Sequence, residues 1–372
     1  MIRLIIVIAL FLTSLLCIFK APTYMLWYVQ ILATEFSLIF IALILIILAV
    51  TFKMLPYRTI TFIIAIAAIF LFLTPIFGAI KISNALGKNL KMSFNEDTEN
   101  NSSPLSFQKL LGLQREAQLI PQAIIYDSAK NLSLDYYAAK APGNKPCIIV
   151  VHGGSWAGGD SKQLPELNTH LALKGYNVVS INYRLAPTFK NPAPIEDIQK
   201  CIDFLSANQA KYKIDSSKFI LLGRSAGAQL VLAAAYTNIS KNIKGVISYY
   251  GPADMIWGYQ NPAKKAVMDS KKVMEDFLGG TYDQAKPQYE ACSPINLLKP
   301  GAVPTLLIQG KNDPLVAYEH SVRLEKKLLQ YKVPYYFLSL PWATHGCDYT
   351  LNGPSGQLSV FAVDNFIEHV VK

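Results

Sequence analysis

The sequence is short of cysteine and of charge, and its cations are not clustered. Five cysteines are scattered over 372 residues without the short spacing of metal ligands, so they define neither a disulfide framework nor a metal site. Buried free thiols are the expectation, although a bridge between Cys292 and Cys347 stays open. Charged residues make up 16% of the chain and the net charge is +10, but the lysines are dispersed, which argues against a nucleic-acid partner. A surface beside an anionic membrane is the simpler explanation of the basic charge.

Long hydrophobic runs are confined to the first 82 residues, although 52% of the whole chain is hydrophobic. Three such runs cover residues 2–19, 24–51 and 59–80. A helix that crosses the hydrocarbon core of a bilayer needs roughly 20 apolar residues, so each run is long enough. We predict about three transmembrane helices, which make residues 1–82 a membrane region and the chain an integral membrane protein.

The ends and the one acidic residue of these runs bear on topology. The first run begins like a signal peptide, with Arg3, but no small-residue cleavage pattern follows, so an uncleaved anchor is favoured. Glu35 interrupts the second run, and because burying a carboxylate in lipid is costly we expect it near the interface rather than against a neighbouring helix. Basic residues divide almost evenly between the two sides, so only Arg3 favours an extracytoplasmic position for the rest of the chain.

A polar segment, residues 83–120, separates the membrane region from the remainder. Residues 83–104 are predicted to be a linker, because Asn, Ser, Lys and an acidic run replace the apolar pattern. A short amphipathic stretch at 105–119 follows, and it is expected either to pack on the next domain or to lie on the membrane surface.

From residue 121 to residue 372, strand patterns alternate with helix patterns. This predicts an α/β domain with a mostly parallel sheet that is covered by helices on both faces. Two alternating strands at 123–126 and 132–138 open the domain as a hairpin, and the later strands are almost wholly apolar, as at the centre of a sheet. Those strands are predicted at 147–151, 178–182, 219–222, 246–250 and 305–309, and helices at 195–205, 226–236 and 319–329.

One segment, residues 251–294, is too long for a single crossover helix between two strands. Excursions of this length are typical of lids and binding segments. Its aromatic residues are suited to lining a pocket for an apolar acyl chain, although a segment that simply covers the sheet is an equally good interpretation. Those residues are Trp257, Tyr259, Phe277 and Tyr289.

The pentapeptide Gly-Arg-Ser-Ala-Gly at 223–227 directly follows an apolar strand. Glycine two residues away on each side allows a serine to occupy a sharp strand-to-helix turn, which exposes its hydroxyl group. Ser225 is therefore a candidate nucleophile. The pattern alone is weak, because small-residue turns before helices are common.

Two further residues complete a catalytic set at the same sheet edge. A serine hydroxyl needs a base within hydrogen-bond reach, and the base needs an acid that orients it. Asp313 follows the strand predicted at 305–309, and His345 follows the apolar residues 336–340 at a similar distance. The chain order Ser225, Asp313, His345 is the one expected of a nucleophile elbow. Asp313 could instead be a simple turn former, and Asp348 is the fallback acid.

A glycine loop after the strand at 147–151 supplies the remaining element. The backbone amides of Gly153, Gly154 and Ala226 are predicted to form an oxyanion hole. His152 directly precedes the glycines and is interpreted as shaping their loop. The other three histidines lie in helical patterns and are predicted to be surface residues: His170, His320 and His369.

Taken together, these segments resemble the α/β-hydrolase superfamily, and within it the hormone-sensitive-lipase-like and acetyl-esterase-like carboxylesterases. The resemblance runs from about residue 120 to residue 372 and does not include the hydrophobic N-terminal runs. Arg224 stands where an acidic residue is common in the lipase-like branch, and Ser155 replaces a third glycine. The matching segments are His-Gly-Gly-Ser-Trp at 152–156, Tyr-Arg-Leu-Ala-Pro at 183–187, the pentapeptide at 223–227, Ser-Pro-Ile at 293–295 and the loops of Asp313 and His345.

The resemblance implies a serine esterase that hydrolyses carboxylic esters through an acyl-enzyme intermediate, without a cofactor or a metal. The hydrophobic runs, which lie outside the resemblance, predict that this esterase is membrane-anchored. A small-molecule or lipid ester is the expected substrate. A serine peptidase or an acyltransferase that uses the same three residues stays open, as does a non-catalytic hydrolase fold that serves as a binding module. The oligomeric state also stays open.

Overall fold

The chain folds as a set of N-terminal helices followed by an α/β domain. A computed structural model describes residues 2–50, 57–94, 103–114 and 118–372. We call residues 122–372 the sheet domain. The helices that precede it, called the N-terminal helices, are α1 (Ile2–Ser14), α2 (Tyr24–Glu35), α3 (Ser37–Val50) and α4 (Arg58–Phe94).

The sheet domain is built on eight strands that form a single sheet. They are β1 (Gln122–Asp127), β2 (Leu132–Tyr137), β3 (Lys145–Val151), β4 (Asn177–Ile181), β5 (Ile214–Arg224), β6 (Ile243–Tyr249), β7 (Thr305–Gly310) and β8 (Tyr335–Leu340). Their order is β1-β2-β4-β3-β5-β6-β7-β8. β2 pairs antiparallel with both β1 and β4, and the other pairs are parallel. The predicted opening hairpin and mostly parallel sheet are confirmed.

Helices cover both faces of this sheet, as predicted. A short helix, α5 (Phe107–Leu110), precedes it, and the others are α6 (Pro165–Leu173), α7 (Ala193–Ala207), α8 (Gln209–Tyr212), α9 (Ala226–Tyr236), α10 (Met255–Gln260), α11 (Ser270–Leu278), α12 (Lys286–Cys292), α13 (Pro294–Leu297), α14 (Glu319–Gln330) and α15 (Pro354–Val371). One core contains residues of α7, α9 and α14, and the other contains residues of α4, α6 and α15.

The central strands are buried on both sides, which explains why they are apolar throughout. Ile149 and Val151 of β3 belong to one core, and Ile148 and Val150 belong to the other. This is the two-residue alternation of a strand whose faces are both covered. All five cysteines are buried and free, so a bridge between Cys292 and Cys347 is not formed.

The prediction of about three transmembrane helices is wrong in number. Among the described residues, only α4 is long and apolar enough to cross a membrane. The second hydrophobic run is broken at Phe36, where α2 and α3 bend by 83°, so it counts as a span only if the bent pair is taken together. α1 has 13 residues, fewer than the roughly 20 that a bilayer core needs.

The predicted linker at 83–104 is also wrong in its first part. α4 continues through this region to Phe94, and it buries Leu86, Leu90 and Phe94 against the sheet domain. These residues are four positions apart, so they form one stripe along the helix. The acidic run at 96–99 lies outside the described residues, and within the described part of the amphipathic stretch that follows, the helix is α5.

Candidate active site

Ser225 lies at the turn between β5 and α9, at the end of the sheet where the parallel strands end. Its backbone has φ 52° and ψ −118°, a conformation that residues with side chains rarely adopt. The amide of Ser225 donates a hydrogen bond to the carbonyl oxygen of Tyr249 at the end of β6, at 2.9 Å. The backbone bond helps to hold a strained turn, and strain of this kind is concentrated at functional sites.

The glycines at 223 and 227 are required by the close approach of backbone at this turn. A Cβ atom at Gly223 would lie 2.3 Å from the carbonyl oxygen of Gly227. A Cβ atom at Gly227 would lie 2.2 Å from the carbonyl oxygen of Val151 in β3. Only glycine fits at either position, which is the physical basis of the pentapeptide pattern.

His345 and Asp313 are hydrogen-bonded to each other. Nδ1 of His345 lies 2.8 Å from Oδ2 of Asp313, and both residues are buried. The amides of Leu315 and Val316 donate to Oδ1 of Asp313 at 2.8 and 2.9 Å. The carboxylate is therefore fixed by its own loop, and the second nitrogen of the imidazole is left for other partners.

Asp348, the fallback acid, has different partners. Its Oδ2 accepts from Nε of Arg224 at 2.5 Å, and its Oδ1 accepts from the hydroxyl of Tyr250 at 2.5 Å. Burial alone would lower the pKa of Arg224, but the Asp348 carboxylate outweighs it and raises that pKa. The Tyr250 ring lies 4.4 Å from the His345 ring, between centroids, so this buried group supports the site from behind.

His152 contacts the glycine loop directly, because its Nδ1 lies 2.7 Å from the carbonyl oxygen of Gly153. The His152 ring stacks on Tyr183 with centroids 4.3 Å apart, and burial lowers its pKa, so it is suited to a neutral packing role. The amide of Gly153 donates to Oε1 of Gln163 at 2.7 Å, which engages one of the three predicted oxyanion donors within the protein. Gly154 has φ 122°, and a Cβ there would lie 2.1 Å from the carbonyl oxygen of Gly158.

A cavity of about 250 Å³ opens at this edge of the sheet. Ser225, Ala226 and Asp313 line it on the sheet side, and the segment 251–294 contributes both aliphatic and polar residues to its wall. The predicted aromatic lining is wrong: Phe277 and Tyr289 are fully buried in the core, and none of the four aromatic residues lines the cavity. The lining residues of that segment include Val267, Met268, Val273 and Met274.

The prediction that His320 is a surface residue is also wrong. His320 is buried in α14, lines the cavity, and its Nδ1 accepts a hydrogen bond from the amide of Asp254 at 3.2 Å. Burial lowers the pKa of His320 to about 4, although Asp254 and Asp313 oppose this shift. The other two histidines are partly buried: His170 pairs with Asp364, and His369 stacks on Phe94.

Two residues of the N-terminal region also line the cavity. Lys20 and Ala21, which lie between α1 and α2, share the cavity wall with residues of the segment 251–294. Nothing in the sequence signals this contact, because the two parts of the cavity wall are more than 200 residues apart in the chain. The N-terminal helices are therefore part of the surroundings of Ser225.

Comparison with known protein families agrees with this geometry. The model of the BD-FAE family matches residues 134–328, which is more than half of the chain and includes Ser225 and Asp313. The chain belongs to the BD-FAE family.

Curated relatives of this BD-FAE chain carry esterase names. "Probable carboxylic ester hydrolase LipM" of Mycobacterium tuberculosis is 25% identical over 243 residues, covering 61% of this chain and 55% of the relative. "Esterase LipC" of the same organism is 26% identical over 268 residues, covering 66% and 64%. The chain thus spans little more than half the length of these relatives.

Solved structures of similar shape extend the comparison to the fold. An esterase of the archaeon Pyrobaculum calidifontis has a TM-score of 0.59 at 19% identity, over 78% of this chain and 94% of that one. A truncated carbohydrate esterase from gut microbiota has a TM-score of 0.58 at 22% identity, over 69% and 99%. Both likenesses support the α/β-hydrolase fold of this BD-FAE member.

Proposed function

We propose that this BD-FAE member is a serine esterase that hydrolyses carboxylic esters, with Ser225 as nucleophile, His345 as base and Asp313 as acid. One observation carries the proposal. A strained serine and the carboxylate bonded to His345 share one cavity, so nucleophile, base and acid converge at a single edge of the sheet. The esterase names of the relatives support the same reaction class.

The reaction follows from the donors and acceptors present. The Ser225 oxygen attacks the ester carbonyl while Nε2 of His345 takes its proton, and the resulting imidazolium is stabilised by Asp313 through the Nδ1 hydrogen bond. His345 then gives this proton to the departing alcohol, which leaves an acyl-enzyme. Water, activated by His345, repeats the sequence on the acyl-enzyme and releases the acid.

The negative oxygen of each tetrahedral intermediate needs preorganised donors. We assign this role to the amides of Gly154 and Ala226. The Gly153 amide donates to Gln163, and an N–H group makes one strong hydrogen bond at a time. This amide can therefore donate to the oxyanion only after the Gln163 side chain has moved away.

The cavity favours a small ester. Its volume of about 250 Å³ lies below the roughly 300–1,000 Å³ of sites for drug-sized ligands. Valine and methionine side chains on the wall are suited to contact with an aliphatic acyl group, and two lysines, Lys20 and Lys264, line the same cavity. We therefore expect short acyl esters to be hydrolysed faster than long ones, whether they come from a soluble molecule or a lipid.

Replacement of the nucleophile is the direct test. Ser225→Ala in the full-length chain is expected to lower kcat for p-nitrophenyl acetate by about 10⁶-fold, to the background rate, with an unchanged melting temperature. Ser217→Ala changes an exposed serine on β5 and is the matched control. Activity that survives in Ser225→Ala would exclude Ser225 as nucleophile.

We further propose that α4 anchors the enzyme in a membrane, with the sheet domain on the extracytoplasmic side. Large apolar side chains on the first half of α4 face outward, among them Ile63, Ile66 and Phe70, which are 61%, 47% and 69% exposed. Cell membranes washed with alkaline carbonate should retain the chain, and lysine at these three positions should release it, because each lysine costs about 3 kcal/mol in a bilayer. Recovery of the unmodified chain in the wash would contradict the anchor, and protease digestion of intact cells tests the side.

A further inference from the structure

Helix α2 contacts the loop that carries His345. The indole N–H of Trp27 donates a hydrogen bond to the backbone carbonyl oxygen of His345 at 2.9 Å, and the two ring centroids lie 6.1 Å apart. One turn further along α2, Oε1 of Gln30 accepts a hydrogen bond from the hydroxyl of Thr344 at 3.0 Å. Two side chains of one helix therefore bind two consecutive residues of this loop.

Gln30 is fully buried and is held in one orientation. Its amide nitrogen donates to the carbonyl oxygens of Leu16 and Phe19, at 3.0 and 2.9 Å. Its oxygen accepts from the amide of Ala21 at 3.2 Å as well as from Thr344. Reversing the amide would turn its N–H₂ group toward the amide donor of Ala21 and its oxygen toward two carbonyl acceptors, so the acceptor for Thr344 has a fixed position.

Helix α2 is attached to the sheet domain at both of its ends. The amide of Tyr24 donates to the carbonyl oxygen of Ala266, in the segment 251–294, at 2.9 Å. At the other end, Oε2 of Glu35 accepts from the amide of Ser355 at the start of α15, at 3.1 Å. Because both ends are bonded, the helix is a rigid support for the loop between them.

The loop is thus held from two sides. On the sheet side, Asp313 and the Tyr250 ring contact the imidazole of His345. On the other side, α2 binds the side-chain hydroxyl of Thr344 and the backbone carbonyl oxygen of His345. A general base must stay within hydrogen-bond reach of the proton that it takes, and a displacement of about 1 Å can lower a rate about 100-fold.

We propose that Trp27 and Gln30 are positioning residues that fix His345 through the backbone of its loop. This inference rests on the proposed function, because it assigns the residues a kinetic effect only if His345 is the catalytic base. It adds to the active site a helix that lies outside the family match at 134–328. The N-terminal helices then contribute to turnover as well as to location.

The test uses the full-length chain in detergent micelles with p-nitrophenyl acetate. Trp27→Phe removes the N–H donor and keeps an aromatic ring, and Gln30→Met removes the acceptor and keeps the length of the side chain. Each is expected to lower kcat per folded molecule about tenfold, since the loop moves. KM should stay within about twofold in Trp27→Phe, because this side chain does not line the cavity. Gln30→Met also removes a hydrogen bond to Ala21, which lines the cavity, so KM is not a criterion for that variant. Met25→Leu, at a side chain on α2 that is 75% exposed, is the matched control.

Thr344 provides an independent arm of the same experiment. Thr344→Val removes the hydroxyl and keeps the shape, so it is expected to lower kcat by about the same factor as Gln30→Met. Because the hydroxyl of Thr344 and the amide oxygen of Gln30 bond to each other, the double variant Gln30→Met/Thr344→Val should have a kcat little lower than that of either single variant. Thr344→Ser restores the hydroxyl and should recover most of kcat, which a role in packing alone would not require.

The outcomes separate the inference from the proposed function. Unchanged kcat in Trp27→Phe and in Thr344→Val, with Ser225→Ala inactive, would overturn the positioning role and leave the esterase assignment intact. Activity in Ser225→Ala would overturn the esterase assignment itself. If Trp27→Phe or Gln30→Met does not fold, the Thr344 pair decides, because equal kcat values for Thr344→Val and Thr344→Ser also overturn the positioning role.

Discussion

The N-terminal helices and the sheet domain are both rich in apolar residues, but they place them in opposite ways. Strand residues such as Ile148 and Leu221 are completely buried between two layers of helices. On α1, α3 and the first half of α4, many large apolar side chains face outward, for example Ile2, Ile46 and Phe70. The hydropathy of a segment thus shows how apolar it is, but only the fold shows whether its side chains are buried in the protein or exposed on the surface.

The two regions are alike in where they bury polar groups. In α2, Gln30 and Glu35 are buried and bond to the sheet domain rather than facing outward. In the sheet domain, Asp348 and His320 are buried close to Ser225. Buried polar side chains cost stability unless they are paired, and in both regions these groups have partners in the sheet domain.

The largest expected effect concerns the buried charge pair of the sheet domain. Asp348→Ala leaves the guanidinium of Arg224 buried without its carboxylate, and we expect the free energy of unfolding to fall by about 3–5 kcal/mol. Chemical denaturation of the full-length chain in detergent measures this loss. Asp276→Ala, which breaks an exposed pair with Lys272, is the control and should have little effect. Equal effects of the two changes would show that the Arg224 pair is not part of a buried framework.

The next effect depends on pH and on His320. Its pKa is about 4 in the folded protein and about 6.5 in an unfolded chain, so between these values the unfolded state binds the extra proton. The contribution of neutral His320 to the free energy of unfolding is therefore fully present above about pH 6.5. It is lost as the pH falls toward 4, and the loss is at most about 3 kcal/mol. Arg323 adds to this shift, whereas Asp254 and Asp313 oppose it.

His320→Asn isolates that contribution, because the amide oxygen replaces the acceptor Nδ1 and asparagine does not titrate. Unfolding free energies of both proteins, measured from pH 7 to pH 4.5, should diverge in slope, with the variant less sensitive to acid. If the free energies of unfolding of the two proteins fall with pH at the same slope, the pKa of His320 is not lowered by folding.

The contrast between regions also explains what could be predicted from the sequence. The central strands were predictable because strands buried on both faces are continuous apolar runs bounded by turns. Ser225 and Asp313 were identifiable because each follows such a strand, and His345 because it follows the apolar residues of the edge strand β8, although their joint role stays a proposal. The break at Phe36 was not predicted, since no proline or glycine marks it; the interruption of the run by Glu35, directly before it, was interpreted as a position near the membrane interface.

Contacts between distant parts of the chain account for the other misses. The polar residues of α4 after residue 82 suggested a linker, yet Leu86 and Leu90 have the spacing of a helix stripe that was available in the sequence. Burial of His320 and the bonds of Trp27 to the loop near residue 345 carry no local signal. They depend on which elements the fold brings together.

The smallest expected effects test whether α4 is seated on the sheet domain. A Cβ at Gly78 would lie 2.4 Å from Cε3 of Trp342, a buried ring whose N–H donates to Ser355 at 2.9 Å. Gly78→Ala must displace this ring, so we expect a loss of about 1–3 kcal/mol in the free energy of unfolding. At Gly87 on the same helix, the nearest atom to a new Cβ is 3.7 Å away in Phe361.

Gly87→Ala is therefore the matched control with the opposite sign, because alanine is favoured over glycine inside a helix by up to about 1 kcal/mol. Chemical denaturation of Gly78→Ala and Gly87→Ala in the same detergent measures the change in the free energy of unfolding for each variant. Since Trp342 lies three residues before His345, a displaced ring should also lower kcat in Gly78→Ala and not in Gly87→Ala. Two variants of equal stability would mean that α4 does not press on Trp342, and the second half of this helix would then belong with the outward-facing region rather than with the sheet domain.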